Sequence, residues 1–398
     1  MRIAVVSDEH FPWSGADTEV IVSTAAALGD AGAQVCLVVP RLRGRVPSAA
    51  EVCAYYGVHA SFSLLTLPGW PWPNRRLRLE KIVHGLRAPL AAAVASADVV
   101  LSRDLLPLLV AEARGLPWCF ETYRRHGEEK PWLRRLLGPR RLVHGLGAVA
   151  HSEAARADLV GLGFAEEAVV MARPGLTPAA LSPELAPAEA RVRSGLTSSM
   201  PLVGYAGNVD PSKGLDEFLA VARLVPEARF VVIGGGPSSL AGLRRAAARE
   251  GLANVSFIGH VPVARVAEHL QALDVLLVPG RYRNRRPLPV VDRLVPAGIP
   301  GTPLKLYGYL AAGRAIVAAD QPWNREILVH DRNALLVAAG EPRPMAEAVR
   351  QLLRDHDLAR RLGSTARADA QQYTWSARAR ILLAFFAERL DARAHARA

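Results

Sequence analysis

Glycine-rich turns recur where apolar runs of the sequence give way to helical patterns. The first is F-P-W-S-G-A-D-T-E with Gly15, the second is G-Y-A-G-N-V-D-P-S-K-G with Gly207 and Lys213, and the third is V-V-I-G-G-G-P-S-S-L with Gly235. Glycine lets the backbone pass close to a phosphate, and a helix N-terminus supplies free N–H groups and partial positive charge. The three turns together indicate a phosphorylated ligand, whereas one such turn alone is as typical of any parallel sheet.

A fourth stretch, T-P-L-K-L-Y-G-Y-L-A-A-G, predicts a helix whose N-terminus could face the same ligand. Pro303 suits a first helical turn, and Gly313 is a natural stop. The backbone N–H groups near Lys305 and Leu306 are candidate donors to phosphate. Gly308 interrupts the helix interior, where a glycine costs about 1 kcal/mol relative to alanine.

Two other classes of phosphate-binding protein are disfavoured by these turns. Ser239 stands where a dinucleotide-binding turn needs its third glycine, and the next strand, V-S-F-I-G-H, ends without an acidic residue for a ribose. A nicotinamide oxidoreductase is therefore disfavoured. No G-x-x-x-x-G-K-S/T motif occurs in the sequence, which excludes a P-loop ATPase.

The elements that position these turns follow an alternating pattern. Short Val/Leu/Ile-rich runs alternate with helical patterns, apart from a Pro/Arg-rich segment after Val39 that we expect to be irregular. Such alternation predicts α/β domains with parallel, doubly wound sheets, whose ligands bind at the carboxyl ends of the strands. The expected parts are a first domain at 1–180, a linker at 181–200, a second domain at 201–372 and a C-terminal helix at 373–398 that packs back on the first domain.

Composition limits the class of partner. The chain has 398 residues and a formal net charge of +12, but it contains no zinc-finger spacing, RNA-binding signature or recognition-helix pattern. We therefore expect no nucleic acid, and phosphorylated small molecules or anionic lipid surfaces fit the charge better. The cysteines are too widely spaced for a metal site. No apolar run approaches the length of a membrane span, and the short apolar run at the start of the sequence ends in acidic residues, which does not fit a signal peptide. A cytoplasmic protein is expected, with peripheral contact to the inner face of the membrane left open.

Taken in order, these stretches resemble the retaining glycosyltransferases of the GT-B fold, in particular glycosyltransferase family four, also known as group 1. The matching stretches are G-A-D-T-E, V-A-H-S-E-A-A-R-A-D-L-V-G-L-G, V-G-Y-A-G-N-V-D-P-S-K-G, F-V-V-I-G-G-G-P, N-V-S-F-I-G-H-V, L-D-V-L-L-V-P and P-L-K-L-Y-G-Y-L-A-A-G-R-A-I-V-A. The resemblance implies two facing Rossmann-like domains with an interdomain cleft. It implies a nucleotide diphosphate sugar as donor substrate on the second domain and a glycan, lipid-linked or small-molecule acceptor on the first. It also implies that neither a cofactor nor a metal is bound.

The resemblance carries donor-binding roles to matching residues of this chain. Lys213 would contact the diphosphate, and the turn Gly259-His260-Val261 would hold the base through backbone groups. The helix that begins near Pro303 would point its N-terminus at the diphosphate. The full donor-binding set is Gly15, Gly207, Asn208, Lys213, Gly235, His260, Val261, Arg281, Lys305, Leu306 and Gly308.

The sequence departs from the family pattern at several of its functional positions. The family carries two glutamates eight positions apart, the second of which binds the donor ribose, and this chain has Pro300 and Gly308 there. Asn208 stands where an arginine often helps to bind phosphate. The family histidine near the transferred sugar is replaced by Tyr123, and His126 is an alternative for the same role; these two residues are the candidate catalytic residues.

Other side chains could compensate for these losses. The run R-Y-R-N-R-R, which begins at Arg281, could rebuild an anion site, bind an acidic acceptor, or be a solvated charge run. Asp8, Glu9 and Glu121 could orient acceptor hydroxyls or cap neighbouring elements. A general base is not identified, and in this family the leaving phosphate can take the acceptor proton.

The sequence thus leaves more than one function open. The first is a retaining, metal-independent glycosyltransferase acting in polysaccharide, glycolipid or small-glycoside synthesis. The second is a GT-B protein that has lost turnover and binds a nucleotide sugar or glycan as a scaffold. A third, an epimerase or phosphorylase, has less support, because the expected cleft offers few titratable groups and no pyridoxal phosphate lysine motif.

Overall fold

The protein divides into two compact units. The computed structural model describes residues 1–12, 16–41, 46–68, 79–124, 143–176, 180–181, 184–210, 213–280 and 303–395. Within these ranges, the first unit holds the residues up to 176 and those from 374 onward, and the second unit holds those from 180 to 373. Elements are numbered below among the described residues.

The first unit is built on a seven-stranded sheet in the order β3-β2-β1-β4-β5-β6-β7, and all neighbouring strands are parallel. The core strands are apolar along their whole length because helices cover both faces of such a sheet. The strands are β1 (Arg2–Val6), β2 (Gln34–Arg41), β3 (Ser63–Pro68), β4 (Val99–Ser102), β5 (Trp118–Thr122), β6 (Gly145–Ala150) and β7 (Val169–Met171).

Helices connect these strands. They are α1 (Ala16–Asp30), α2 (Ala49–Tyr56), α3 (Leu79–Arg87), α4 (Ala92–Ala95), α5 (Leu105–Ala113) and α6 (Glu153–Leu162). The expectation of an irregular segment after Val39 is wrong over α2 and β3. Helix α2 begins with a capping box, in which the Ser48 hydroxyl accepts the N–H of Glu51 at 3.2 Å and the Glu51 carboxylate accepts the N–H of Ser48 at 2.9 Å.

The C-terminal helix belongs to the first unit. It is numbered α15 (Trp375–His395) and contacts α1. Arg378 is buried and donates to Thr24 Oγ1 of α1 at 3.2 Å, and Arg389 donates to the Leu146 carbonyl at 2.8 Å. These contacts hold a terminal segment that would otherwise fray.

The second unit contains a six-stranded parallel sheet in the order β10-β9-β8-β11-β12-β13. Its strands are β8 (Leu202–Ala206), β9 (Arg229–Ile233), β10 (Val255–Gly259), β11 (Val275–Val278), β12 (Ala315–Ala319) and β13 (Leu335–Val337). Its helices are α7 (Pro187–Ser194), α8 (Leu215–Leu224), α9 (Pro237–Arg249), α10 (Val263–Gln271), α11 (Lys305–Ala312), α12 (Pro322–Arg325), α13 (Pro342–Arg354) and α14 (His356–Ala370).

The linker expected at 181–200 is in large part a helix of the second unit. Helix α7 starts with a proline in its first turn and continues with strong helix formers. Its Arg191 donates to Asp274 Oδ2 at 2.6 Å, and Asp274 also accepts the backbone N–H of Leu202 at 2.6 Å. The described part of this segment therefore packs against α10 and the residues that precede β11.

No helix within the described ranges is long and apolar enough to cross a membrane. Nor do three or more His, Cys, Asp or Glu side chains of these residues converge as they would around a metal ion.

Candidate functional site

The glycine turns of the second unit lie side by side at the carboxyl ends of β8, β9 and β10. The N–H of Gly207 donates to the Ile233 carbonyl at 3.0 Å, and the N–H of Gly234 donates to the Gly259 carbonyl at 2.7 Å. A Cβ on Gly234 would lie 2.2 Å from the Gly207 carbonyl oxygen, so only glycine allows this approach. The next residue, Gly235, also has a positive φ of 80°. Three strand ends are thereby joined into one edge.

Lys305 brings a positive charge to this edge. Its Nζ lies 3.6 Å from the centroid of the Tyr205 ring, and a Cβ on Gly207 would come within 3.0 Å of that Nζ. Burial, together with the charge of Lys213, holds the pKa of Lys305 well below its usual range. No carboxylate of the described residues forms an ion pair with it. An ammonium surrounded in this way attracts an anion.

The structure places the two candidate donors of the helix start, Lys305 and Leu306, in different surroundings. Lys305 was expected to act through its backbone N–H, but its side chain is the group that reaches the glycine turn. The N–H of Leu306 donates to the Pro303 carbonyl at 3.0 Å, and the Leu306 side chain is fully buried. Leu306 is therefore part of the packing of α11 and not a ready donor to phosphate.

Lys213 and Asn208 lie in the loop between β8 and α8. The N–H of Lys213 donates to the Asp210 carbonyl at 2.9 Å, and Gly214 caps α8 with a positive φ of 70°. The Asn208 carbonyl accepts the hydroxyl of Tyr205 at 2.7 Å. The structure thus brings Gly207, Asn208, Lys213 and Lys305 to the same strand end, as predicted.

The remaining donor-site candidates lie further along this unit. His260 is exposed and Val261 is buried directly after β10. Gly308 lies within α11, and a Cβ there would meet only the Cδ1 atom of Leu270, at 3.5 Å, among the described atoms. A Cβ at position 308 would therefore make only an ordinary contact. Gly15, His126, Pro300 and the arginine-rich run that begins at Arg281 lie outside the described residues.

The first unit contains a cavity of about 380 Å³ at the carboxyl ends of β1, β4 and β5. Ligands of doubly wound domains bind at this end of the sheet. The polar lining comes from the residues that follow each strand and from α1 and α3. It includes Asp8, Glu9, Asp17, Lys81, Arg103, Asp104, Glu121, Tyr123 and Arg124.

One wall of this cavity is acidic. Lys81 Nζ contacts Asp8 Oδ1 at 2.7 Å and Glu9 Oε1 at 2.6 Å. The carboxyl group of Asp104 accepts the backbone N–H of Asp8 at 2.9 Å. Burial, together with the negative charge of Asp8, raises the pKa of Asp104 to about 7. Near neutral pH this carboxyl group is thus divided between its two protonation states.

Tyr123 also lines the cavity, and two guanidinium groups lie near its ring. The Arg103 and Arg124 Cζ atoms lie 4.7 Å and 5.3 Å from the ring centroid. The Tyr123 hydroxyl donates to Asp17 Oδ2 at 3.1 Å and accepts from Arg124 Nε at 3.0 Å. Burial raises the pKa of Tyr123, so the phenol stays neutral. The sequence identified Tyr123 but missed Asp17, although Asp17 belongs to the quoted G-A-D-T-E stretch.

Glu121, which the sequence left as a residue that could orient acceptor hydroxyls or cap neighbouring elements, is engaged in a buried charge cluster. Its Oε1 atom lies 2.7 Å from His151 Nε2 and 3.0 Å from Arg378. The positive charge of Arg378 and the hydrogen bond from His151 outweigh burial and hold the pKa of Glu121 well below its usual range. Burial lowers the pKa of His151 to about 4, so the imidazole is neutral and donates to the carboxylate. Sequence reasoning missed this cluster because Arg378 lies in a separate part of the chain.

Comparison with known proteins finds relatives of this chain. Residues 200–355 match the family described as glycosyl transferases group 1. A D-inositol 3-phosphate glycosyltransferase of Xylanimonas cellulosilytica is 28% identical over 272 residues, which span 64% of this chain and 60% of the relative. A 2-deoxystreptamine N-acetyl-D-glucosaminyltransferase of Streptomyces fradiae is 34% identical over 175 residues, 41% of this chain and 39% of that protein. A GDP-mannose-dependent alpha-(1-6)-phosphatidylinositol monomannoside mannosyltransferase of Mycobacterium tuberculosis is 29% identical over 193 residues, with coverages of 46% and 47%.

Solved structures share the fold over almost the whole chain. Anabaena Alr3699/HepE in complex with UDP-glucose superposes with a TM-score of 0.73 at 15% identity, covering 98% of this chain and 99% of that one. A sucrose-phosphate synthase from Thermosynechococcus elongatus superposes with a TM-score of 0.77 at 19% identity, with the same coverages. At these identities the likeness concerns the fold alone.

Proposed function

Because the chain has the GT-B fold and carries a group 1 glycosyltransferase domain over residues 200–355, we propose that it is a glycosyltransferase. The donor is a nucleotide diphosphate sugar bound by the second unit, and the acceptor hydroxyl is bound by the first. Transfer retains the configuration at the anomeric carbon. The resemblance to family four and the names of the relatives support this reaction.

The observation that carries the proposal is the convergence of Lys213 and Lys305 at the edge formed by Gly207 and its neighbours. Two ammonium groups repel each other, and that repulsion adds to the effect of burial in lowering the pKa of Lys305. A diphosphate placed between them would remove the repulsion, since two opposite charges about 4 Å apart attract by about 4 kcal/mol in the environment of a protein surface. This edge thus carries positive charge that can bind an anion.

The same pair of ammonium groups accounts for catalysis. When the bond between the sugar and the diphosphate breaks, negative charge grows on the leaving phosphate, and preoriented cations stabilise that charge without reorganising. We propose that this pair supplies the charge without a metal, so that transfer should survive treatment with EDTA. We propose that the leaving phosphate takes the proton of the acceptor hydroxyl, as the resemblance to family four implies; Glu121 is committed to its charge cluster and is a poor base.

A thermal-shift panel of UDP, GDP, ADP and their sugars tests donor binding. At a ligand concentration of about 100 times Kd, binding adds about 2.7 kcal/mol to the free energy of unfolding. At least one nucleotide should raise the Tm, and Lys213→Ala should lose that shift. Arg360→Ala, which changes an exposed residue of the same unit, serves as the control. If no nucleotide shifts the Tm, the donor site is refuted.

Turnover separates the enzyme from the alternative, a binding or scaffold protein without activity. The alternative draws on Gly308, where the ribose-binding carboxylate of the family is absent. Release of the nucleoside diphosphate from the stabilising nucleotide sugar, in the presence of a polyol panel, would support the enzyme. NMR of the anomeric proton of the product would test retention. Binding without release under these conditions would favour the scaffold.

A further inference from the structure

The cavity of the first unit contains more carboxyl groups than its cations balance. Asp8 and Glu9 share the one ammonium of Lys81. In the described part of the chain, Asp104 forms no ion pair, and its carboxyl group accepts a hydrogen bond only from the N–H of Asp8. Among the described residues, three carboxyl groups of this wall therefore lie near one ammonium group.

The side chain of Asp104 faces the cavity instead of capping its helix. Asp104 is the N-cap residue of α5, where an aspartate normally accepts a backbone N–H of the first helical turn. Its side chain makes no such bond and instead lines the cavity beside Asp8. One of its carboxyl oxygens is left to accept a hydrogen bond from a bound molecule. The raised pKa of Asp104, about 7, agrees with the excess of carboxyl groups over cations on this wall.

The guanidinium groups in the cavity are already engaged. Arg103 lies 3.6 Å from Asp17 Oδ1 and 3.9 Å from Glu121 Oε1, and it donates to the Asp17 carbonyl at 3.2 Å. Arg124 donates to the Tyr123 hydroxyl. A phosphate on the acceptor would have to break these contacts and would face the carboxylates of the opposite wall, and like-charge juxtaposition costs several kcal/mol.

The remaining lining suits a compact ring that carries hydroxyl groups. Ile21, Leu105, Leu106 and Pro107 supply apolar surface for the C–H face of such a ring. Carboxylates accept hydrogen bonds from several hydroxyls at once. A volume of about 380 Å³ fits one or two sugar-sized rings, at the lower end of the range for small-molecule sites.

We propose that this cavity binds the acceptor as a polyol without phosphate or carboxylate, either uncharged or amine-bearing, and that Asp104 sets this preference. The proposal rests on the proposed function, in which the first unit binds the acceptor. The hydroxyls of the polyol donate to Asp8, Glu9 and Asp104. An ammonium group on the polyol adds positive charge to the acidic wall. This chain should therefore differ from its relative named for inositol 3-phosphate.

Binding of matched polyols to the full chain tests the proposal. Two trios are suitable, namely glucose, glucosamine and glucose 6-phosphate, and inositol, 2-deoxystreptamine and inositol 3-phosphate. Saturation-transfer NMR and calorimetry, with the stabilising nucleotide present, should give a Kd for the uncharged or amine-bearing member that is at least about tenfold lower than for the phosphorylated one. Tightest binding of the phosphorylated member would overturn the proposal. So would the absence of binding by every uncharged and amine-bearing member.

Variants of Asp104 assign the preference to its carboxyl group. Asp104→Asn keeps the shape of the side chain. It should lower the affinity for amine-bearing polyols by about tenfold and the affinity for uncharged polyols by less. Glu166→Gln, at an exposed ion pair of the same unit, is the control and should change neither of these affinities. An equal loss for all polyols would contradict a charge-selecting role. Nucleotide shifts recorded on the same samples report the donor site separately, so a wrong acceptor class and a wrong enzyme assignment give different results.

Discussion

The Lys305 ammonium lies 3.6 Å from the centroid of the Tyr205 ring and is held by an aromatic face instead of a carboxylate. A desolvated cation–π contact of this kind contributes about 2 kcal/mol. A carboxylate would stabilise the ammonium more strongly, but it would also neutralise the charge. The ring lets β8 and α11 keep a cation at the strand end with its charge still available to a ligand.

The first prediction concerns the charge of Lys305. Lys305→Met keeps the length of the side chain and removes the charge. The free energy of unfolding without nucleotide should change by less than about 1 kcal/mol, because the loss of the cation–π contact is offset by the removal of a poorly solvated cation. Nucleotide affinity should fall about 10- to 100-fold.

Urea denaturation with and without the stabilising nucleotide measures both effects, and Arg360→Met is the matched control for loss of a charge. Equal destabilisation with and without nucleotide would mean that Lys305 serves structure alone. That result would remove the central support for the donor site.

The second prediction concerns proton uptake on donor binding. The pKa of Lys305 is well below its usual range in the free protein, and a bound diphosphate should raise it, so binding takes up protons. Affinity should therefore fall as pH rises through the lowered pKa toward the ordinary lysine value. Lys213, Tyr205 and Tyr309 are the titratable groups of this site that lie nearby.

Calorimetry in two buffers of different ionisation enthalpy measures the protons taken up. It is best done above about pH 7.5, where the phosphates are fully ionised. Lys305→Met should abolish the uptake. An uptake that persists in that variant would assign the proton to another group.

The sequence indicated which residues lie at this strand end, but not that the side chain of Lys305 reaches the glycine turn. Glycine turns and apolar runs are local signals, so the parallel sheets, the GT-B fold and the place of Lys213 at a strand end could be read from them, and the comparisons confirm the fold. The pattern around Lys305 indicates only that it lies in a first helical turn. Side chains there lean toward the helix N-terminus, and which strand end they meet depends on packing between residues about a hundred positions apart.

The cavity of the first unit was equally hard to predict from local sequence. Asp104 reads as an ordinary N-cap in the sequence, since it precedes an apolar helical run. Its departure from that role depends on Asp8, which approaches through the pairing of β1 with β4. The interdomain cleft expected from the sequence stays a prediction.

The third prediction concerns Gly308. Gly308→Ala should raise the free energy of unfolding by about 1 kcal/mol, because a helix-interior glycine is replaced and the new Cβ meets Leu270 at an ordinary contact distance of 3.5 Å. Gly308→Glu should in addition tighten nucleotide binding by restoring a carboxylate for the ribose. Gly308→Gln is its uncharged control, and titration of the three variants with the nucleotide separates the effects. Weaker binding by Gly308→Glu than by Gly308→Gln would show that the ribose lies elsewhere.

The fourth prediction concerns the attachment of the C-terminal helix. Arg378→Met leaves the buried Glu121 carboxylate without its main counter-charge and should lower the free energy of unfolding by about 3 to 5 kcal/mol. Adding Glu121→Gln should recover part of this loss. Arg156→Met, which breaks the exposed pair with Glu166, should cost about 1 kcal/mol or less. Chemical denaturation measures the free energy of unfolding of each variant. If the effects of Arg378→Met and Glu121→Gln simply add in the double variant, the two residues are not coupled and the cluster is contradicted.

The pH dependence of that cluster has a definite sign. The depressed pKa of Glu121 contributes stability above the ordinary glutamate pKa of about 4.3, and this stability is lost as pH falls toward the folded value. In Arg378→Met the folded pKa should rise, so that the variant unfolds at a higher pH than the unmodified protein. Acid titration followed by circular dichroism checks this order.

The fifth prediction separates positioning from proton transfer at Tyr123. Its hydroxyl donates to Asp17 and accepts from Arg124, so both hydrogen-bonding roles are filled before any substrate arrives. Tyr123→Phe should therefore lower kcat by less than about tenfold and leave nucleotide affinity unchanged, since the ring stays near both guanidinium groups. Asp17→Asn, which weakens the same hydrogen bond and keeps the ring, should have an effect of similar size. A loss of about 100-fold or more in Tyr123→Phe alone would instead indicate general acid–base chemistry at this hydroxyl, because groups in that role contribute about 10²- to 10⁴-fold.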